Sequence, residues 1–151
     1  MKFSLIIDKE SDEQVVATVR NPSSLTEKIE ALVLEYNGEN KIPAYTEDDT
    51  VFLEFGEIEC ITVSEGKTYA VTRDGEQLRL KKRLYELENI VPSYFIRINK
   101  STLANRSRIK RFAATFSGGV DAVFKSGHKE YVSRRCFAEI KRRFISKGKS
   151  L

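Results

Sequence analysis

Histidine and cysteine are scarce in this 151-residue chain, which holds a single histidine, His128, and two cysteines, Cys60 and Cys136. A zinc centre draws three or four Cys, His or carboxylate ligands from clustered positions, and two isolated cysteines do not supply them. The cysteines also lie far apart, so two reduced buried thiols are expected rather than a disulfide. A lone histidine in the turn Ser126-Gly127-His128 reads as an exposed structural residue. Long apolar runs are missing too. No window approaches the ~20 consecutive apolar residues of a membrane helix. The start, Met1–Asp8, is too short an apolar run for a secretory signal before it turns acidic. The chain is expected in the cytoplasm.

Motifs for catalysis are absent as well. Gly66-Lys67-Thr68 resembles the end of a phosphate-binding loop, but that motif needs a glycine where Ile61 stands. Nor is there a dinucleotide fingerprint, a nucleophile elbow or a paired-carboxylate signature. A non-enzymatic protein with no cofactor and no small-molecule substrate is expected.

Acidic residues are the last shortage, and it is regional. Residues 97–149 hold 15 Lys/Arg against 3 Asp/Glu, and residues 56–151 as a whole carry 21 against 10. Residues 1–55 reverse the balance, with 5 basic and 12 acidic. A clustered cationic excess is the footprint of a polyanion-binding surface. Charge by itself does not separate DNA from RNA or from an anionic membrane, and a solvated basic surface with no ligand stays open beside them.

What is present has two periodicities. Phe3–Asp8 and Gln14–Val19 read as strands across the polar stretch Lys9–Glu13. Ser24-Leu25-Thr26-Glu27 then fits a capping box. Leu25, Ile29, Leu32, Val33 and Tyr36 follow at helical spacing opposite Glu27, Lys28, Glu30 and Glu35, and Asn37-Gly38 stops the run. Residues 1–49 thus read as an acidic β-β-α unit ending in a linker, Asn40–Asp49. From Thr50 the period becomes two. Val51–Phe55, Glu59–Val63, Tyr69–Arg73 and Gln77–Leu80 read as strands, the last pair joined by an Asp74-Gly75 hairpin. Leu80–Leu87 reads as a short helix. Tyr94–Ile98 reads as a strand with Tyr94, Ile96 and Ile98 on one face and Arg97 on the other. Ile109–Phe116, Val120–Phe124 and Glu130–Val132 complete the strands, and Arg134–Phe144 closes as a helix. The fold class is mainly β with short helices, and residues 50–151 form the second domain.

Three groups of cations fall in turns or at element ends, where a scaffold can present them to phosphates and base edges. They are Lys67, the segment Asn99-Lys100-Ser101-Thr102, and Ser133-Arg134-Arg135. On the last helix Phe137, Ile140 and Phe144 share one face, while Arg135 and Arg142 fall together opposite. Ser133 caps that helix, and Arg135 lies near its N-terminal N–H groups. Lys141, Arg142, Arg143, Lys147 and Lys149 read as a general electrostatic tail.

These segments carry a pattern. Ile58–Val63, Arg83-Leu84-Tyr85-Glu86-Leu87, Tyr94-Phe95-Ile96-Arg97-Ile98-Asn99-Lys100-Ser101-Thr102-Leu103-Ala104-Asn105 and Tyr131-Val132-Ser133-Arg134-Arg135 stand in order and at the right spacing. Over residues 58–144 the chain resembles the LytTR DNA-binding domain of bacterial response regulators. The resemblance implies about ten strands in small antiparallel sheets, with loops rather than a recognition helix entering successive major grooves of double-stranded DNA. It places base and phosphate contacts on Lys67, Lys100 and Arg135, with Arg97, Asn99 and Ser101 neighbouring them as positioning or phosphate-contacting residues. Dimers on direct repeats are implied.

Two departures stand out: the family often has His where Asn99 stands, and Val where Ala104 stands. Residues 1–50 are too short for a receiver domain, so the chain is similar to the short family members, which are often restrained by a small membrane protein. A sequence-specific transcriptional regulator follows, with an RNA-binding or a membrane or partner adaptor module as the alternative.

Overall fold

A computed structural model of the chain describes residues 1–145. It contains one seven-stranded and one three-stranded sheet, with every strand pair antiparallel. The elements in chain order are α1 (Ser24–Asn37), β1 (Lys41–Tyr45), β2 (Thr50–Glu54), β3 (Ile58–Ser64), β4 (Lys67–Thr72), β5 (Gln77–Leu80), α2 (Leu84–Leu87), β6 (Phe95–Asn99), β7 (Thr102–Asn105), β8 (Ile109–Ala114), β9 (Val120–Phe124), β10 (Lys129–Val132) and α3 (Arg134–Ile140). A π-helical turn, Lys141–Ile145, continues α3. The large sheet runs β2-β1-β5-β4-β3-β7-β6 and the small one β10-β9-β8. The expected β-rich class with short helices is what the chain adopts.

Two apolar clusters are separated by the large sheet. Ile58, Ile61, Leu80, Leu87, Phe95 and Leu103 belong to the first, which α2 helps to close. Cys60, Ile96, Ile98, Phe124, Val132 and Ile140 belong to the second, where the small sheet and α3 pack. Alternation along β6 sends Ile96 and Ile98 to the second cluster. Tyr94 precedes the strand and packs instead on the first, a difference from the single face read in the sequence.

A bulge matters in β3. The register skips between Ile58 and Cys60, so the inserted Glu59 and its neighbour Cys60 both serve the side facing the small sheet. Glu59 is fully buried. Its carboxylate accepts from Arg108 Nη2 at 3.1 Å and from Ser126 N at 3.2 Å, and also from the Ser126 hydroxyl. One buried acid thereby ties the start of β8 and the β9–β10 turn to the large sheet.

Three expectations change in the first 49 residues. Phe3–Asp8 and Gln14–Val19 form no ladder with any described residue and are exposed throughout. The segment read as a linker contains a strand: β1 pairs with β2 from Lys41↔Glu54 to Tyr45↔Thr50 and touches β5 at Tyr45↔Arg79. The helix forms, but Ser23 is its cap and Thr26 completes the capping box, one residue earlier than the Ser24–Glu27 reading. It also docks by its charged side. Glu27 pairs with Arg106, and Glu30 Oε1 accepts from Ser93 N at 2.7 Å. Its Leu25, Leu32 and Tyr36 stay exposed.

Candidate nucleic-acid interface

The site is assembled where three turns meet. The β3–β4 connection is a two-residue hairpin, with Ser64 opposite Lys67. Glu65 and Gly66 both adopt left-handed conformations, φ 51° and 75°. That combination is the turn whose twist matches paired strands. It leaves Lys67 exposed at the sheet's end. The neighbouring β6–β7 turn holds Lys100 and Ser101, and Val63 N donates to Ser101 O at 2.9 Å, so the two turns sit side by side.

The Lys100 turn is braced from below. Arg97 donates Nη1 to the Lys100 carbonyl at 2.7 Å and Nε to Glu88 Oε1 at 2.6 Å. Asn99 is buried, and both ends of its amide meet backbone: Nδ2 donates to Tyr131 O at 2.7 Å and Oδ1 accepts from Ser101 N at 2.7 Å. A side chain engaged this way positions the turn.

The third turn leads into α3. Ser133 N donates to Ile98 O at 2.8 Å, and Ser133 Oγ accepts from Cys136 N at 3.2 Å, which forms the expected cap. The start of α3 is thereby fastened to the same strand that carries the Lys100 turn. Between them lies an open groove of about 780 Å³, lined at its rim by Arg97, Lys100, Ser133, Arg135, Glu139 and Arg143. Phe95 and Phe144 are buried beneath it.

The sequence-derived residues therefore divide. Arg97, Asn99, Lys100 and Arg135 share the groove, Ser101 lies in the same turn, and Lys67 stands one hairpin away. Arg134 lies on the other flank of α3, in a separate hollow with Ser117, Tyr131, Phe137 and Lys141. Arg142 pairs with Glu139 on its own helix. This pairing holds the Glu139 carboxyl below its usual range and the guanidinium above its own. The α-to-π change at Lys141 breaks the seven-residue alignment of Arg135 with Arg142, so Arg143 lines the groove instead. Sequence reading missed the roles of Arg143, Glu88 and the Tyr131 carbonyl. Lys147 and Lys149 lie outside the described residues.

Charge around the groove is compensated only in part: Arg97 is paired with Glu88, and Glu139 at the rim with Arg142. Among the described residues the ion-paired cations are Arg97, Arg106, Arg108, Arg142 and His128. Lys67, Lys100 and Arg135 carry no ion pair with a described residue and are exposed.

One further cluster has metal-ligand chemistry. Cys60, His128 and Glu130 bring one donor atom each within 4.8 Å of one another, although their sequence spacing gives no hint of it. His128 is half-buried rather than exposed. Its Nε2 lies 2.8 Å from Glu130 Oε1 and its ring stacks on Phe124. The hydrogen bond to Glu130 raises the imidazole above its ordinary pKa, against the opposing effect of burial. Burial, then Glu130 and Glu59, push the Cys60 thiol far above its usual range. The histidine and glutamate form a hydrogen-bonded pair beside the buried Cys60.

Comparison with known proteins places this geometry. The family described as LytTr DNA-binding domain matches residues 48–145. Relatives from Staphylococcus aureus strains RF122 and NCTC 8325, each named an uncharacterized HTH-type transcriptional regulator, are 27% identical over 146 residues, 95% of this chain and 97% of theirs. Helix-turn-helix in that name has no counterpart among the described residues, where strands separate all three α-helices. A solved chain from Bacillus cereus, described as the LytTr DNA-binding domain of a methyl-accepting/DNA response regulator, superposes with a TM-score of 0.62 at 20% identity. The superposition covers 68% of this chain and 94% of that one, and the likeness is one of fold. With two sheets, a cationic rim at their shared end and a match from residue 48 to residue 145, this chain belongs to the LytTr DNA-binding domain family.

Proposed function

We propose that the chain is a sequence-specific, non-enzymatic regulator of transcription that grips double-stranded DNA with the rim of Lys67, Lys100 and Arg135. One observation carries this reading. Three exposed cations from distant parts of the sequence converge on turns held together by backbone hydrogen bonds, and none has an acidic partner among the described residues. The Lys100 turn and the start of α3 enter the major groove, which is about 12 Å wide. Arg135 and Lys100 read base edges, and Lys67 holds phosphate. Arg97 and Asn99 fix the turn, and two copies occupy direct repeats. An RNA-binding reading needs exposed aromatic platforms at the cationic groove, where Phe95 and Phe144 are buried. The exposed Phe116 and Tyr131 lie outside that groove, Tyr131 in the hollow with Arg134.

The test is a gel shift of duplex DNA across a salt series with RNA as competitor. Preference for one duplex site should survive while affinity falls steeply with salt. Lys100→Ala and Arg135→Ala should each weaken that site by about 1–3 kcal/mol, roughly 5–150-fold. Lys67→Ala should weaken all sequences alike and flatten the salt slope by about one unit. Wild-type binding by all three variants, or RNA outcompeting the site, sinks the proposal.

A further inference from the structure

The least settled part of the molecule is its first 36 residues. Eleven of the sixteen large exposed hydrophobic residues of the described chain fall there, eight of them in the arm before α1. Phe3, Ile6 and Ile7 are each more than 80% exposed. Water-soluble monomers rarely leave so much contiguous apolar surface uncovered. The arm's backbone is equally unfinished. Its two extended segments are joined by a turn closed by Ser11 N to Asp8 O, and neither finds a strand partner among the described residues.

We infer that this arm is a self-association element: Lys2–Asp8 pairs antiparallel with the same segment of a second copy. The sequence of the segment is complementary to itself. Pairing about Leu5 sets Lys2 opposite Asp8, Phe3 opposite Ile7 and Ser4 opposite Ile6, with Leu5 facing its own counterpart. The register joins opposite charges at both ends and places an aromatic against a β-branched residue, pairs that favour antiparallel strands. A two-fold axis through Leu5 makes both halves of the contact identical, as in an isologous interface. Gln14–Val19 is flanked by opposite charges in the reverse order, with Glu13 before it and Arg20 after it. Its start already lies against α1, where Gln14, Val15, Leu32, Val33 and Tyr36 line one hollow.

Burying one Val, Leu, Ile, Met or Phe side chain removes roughly 60–120 Å² of apolar area. Phe3, Leu5, Ile6 and Ile7 of the paired segment thus supply roughly 240–480 Å² per copy. The rest of the ~800 Å² per partner of a standard interface has to come from Met1, Val15, Val16 and Val19 of the same arm. The location fits as well. The helix that carries the arm is fastened at Ser93 and Arg106, at the open end of the β6–β7 hairpin. The Lys100 turn closes the other end, about 13 Å away along β6 at 3.3 Å per residue. The anchor of the arm-bearing helix thus lies at the opposite end of the hairpin from the Lys100 turn. This inference concerns the protein without DNA and does not depend on the proposed reading of the rim.

Light scattering on the full chain at micromolar concentration, without DNA, is the test. The expected mass is twice the 17.3 kDa of the chain. Ile7→Asp should return the monomer mass with an unchanged circular-dichroism melt, since Ile7 is exposed, and should still shift a single-site DNA probe. In a Cys136→Ser background, Leu5→Cys should cross-link to itself on oxidation, because directly opposed residues bring their Cα atoms within disulfide range. A monomeric wild type, including one that instead deposits on anionic vesicles, overturns the inference. So does a dimer that survives Ile7→Asp, or one in which Leu5→Cys fails to cross-link.

Discussion

At its closed end the β6–β7 hairpin holds Lys100 out to solvent with no ion-pair partner among the described residues. At its open end Arg106 is paired with Glu27 of α1 and covered by the Phe144 ring at 4.4 Å. Both ends are cationic, yet only one charge is available. The acidic first third is therefore not only a diffuse counterweight to the basic remainder. Its Glu27 neutralises one particular arginine at the far end from the turns, as the buried Glu59 neutralises Arg108. Net charge says little about a cation's use; the presence of a folded partner says much more.

The contrast can be broken at three levels. Glu59→Gln should have the largest effect. It leaves Arg108 and Ser126 short of a buried acceptor, and unfolding by urea should reveal a loss of about 3 kcal/mol. A stability within about 0.5 kcal/mol of wild type would mean the two sheets are joined by apolar packing alone. Glu27→Ala and Arg106→Ala come next. Each should cost about 1 kcal/mol of stability, as suits a partly buried pair, while DNA affinity stays within about twofold of wild type. If Arg106→Ala weakens DNA as strongly as Lys100→Ala, the two ends are not separate in function.

His128 gives the smallest effect. Its pKa in the fold lies above the ordinary 6.5. The charged pair with Glu130 therefore stabilises fully below that value, and its contribution is lost as pH rises through the raised one. The stability advantage of wild type over His128→Gln should shrink as pH rises above about 6.5, the ordinary value. An advantage independent of pH would show that the ring acts only by packing.

Much of this architecture was legible in the sequence, and the exceptions share a cause. Period-two runs gave β2 through β6 and β8 through β10, and Asp74-Gly75 marked the turn before β5, where Gly75 has φ 81°. β7 escaped because Thr102–Asn105 is buried at every position between β3 and β6, so no alternation remains to be seen. β1 escaped because Pro43 argues against a strand. It is tolerated there because β1 touches β5 only at Tyr45, leaving Pro43 without a ladder on that side. α1 was recognised, but nothing local says that its Glu27 meets Arg106. The site followed the same division. The cationic residue types were visible; the bracing by Glu88 and by the Tyr131 carbonyl joins segments remote in sequence and was not.

The two bonds that cross from β6 to the β10–α3 junction, Asn99 to Tyr131 and Ser133 to Ile98, have a consequence for selectivity. They make the gap between Lys100 and Arg135 a property of the main chain. Two groups mounted at a set distance behave like the jaws of a fixed caliper. A duplex whose groove geometry departs from that distance must deform to be held. On the proposed reading of the rim, such a protein would rank duplexes by how readily their grooves conform to the gauge.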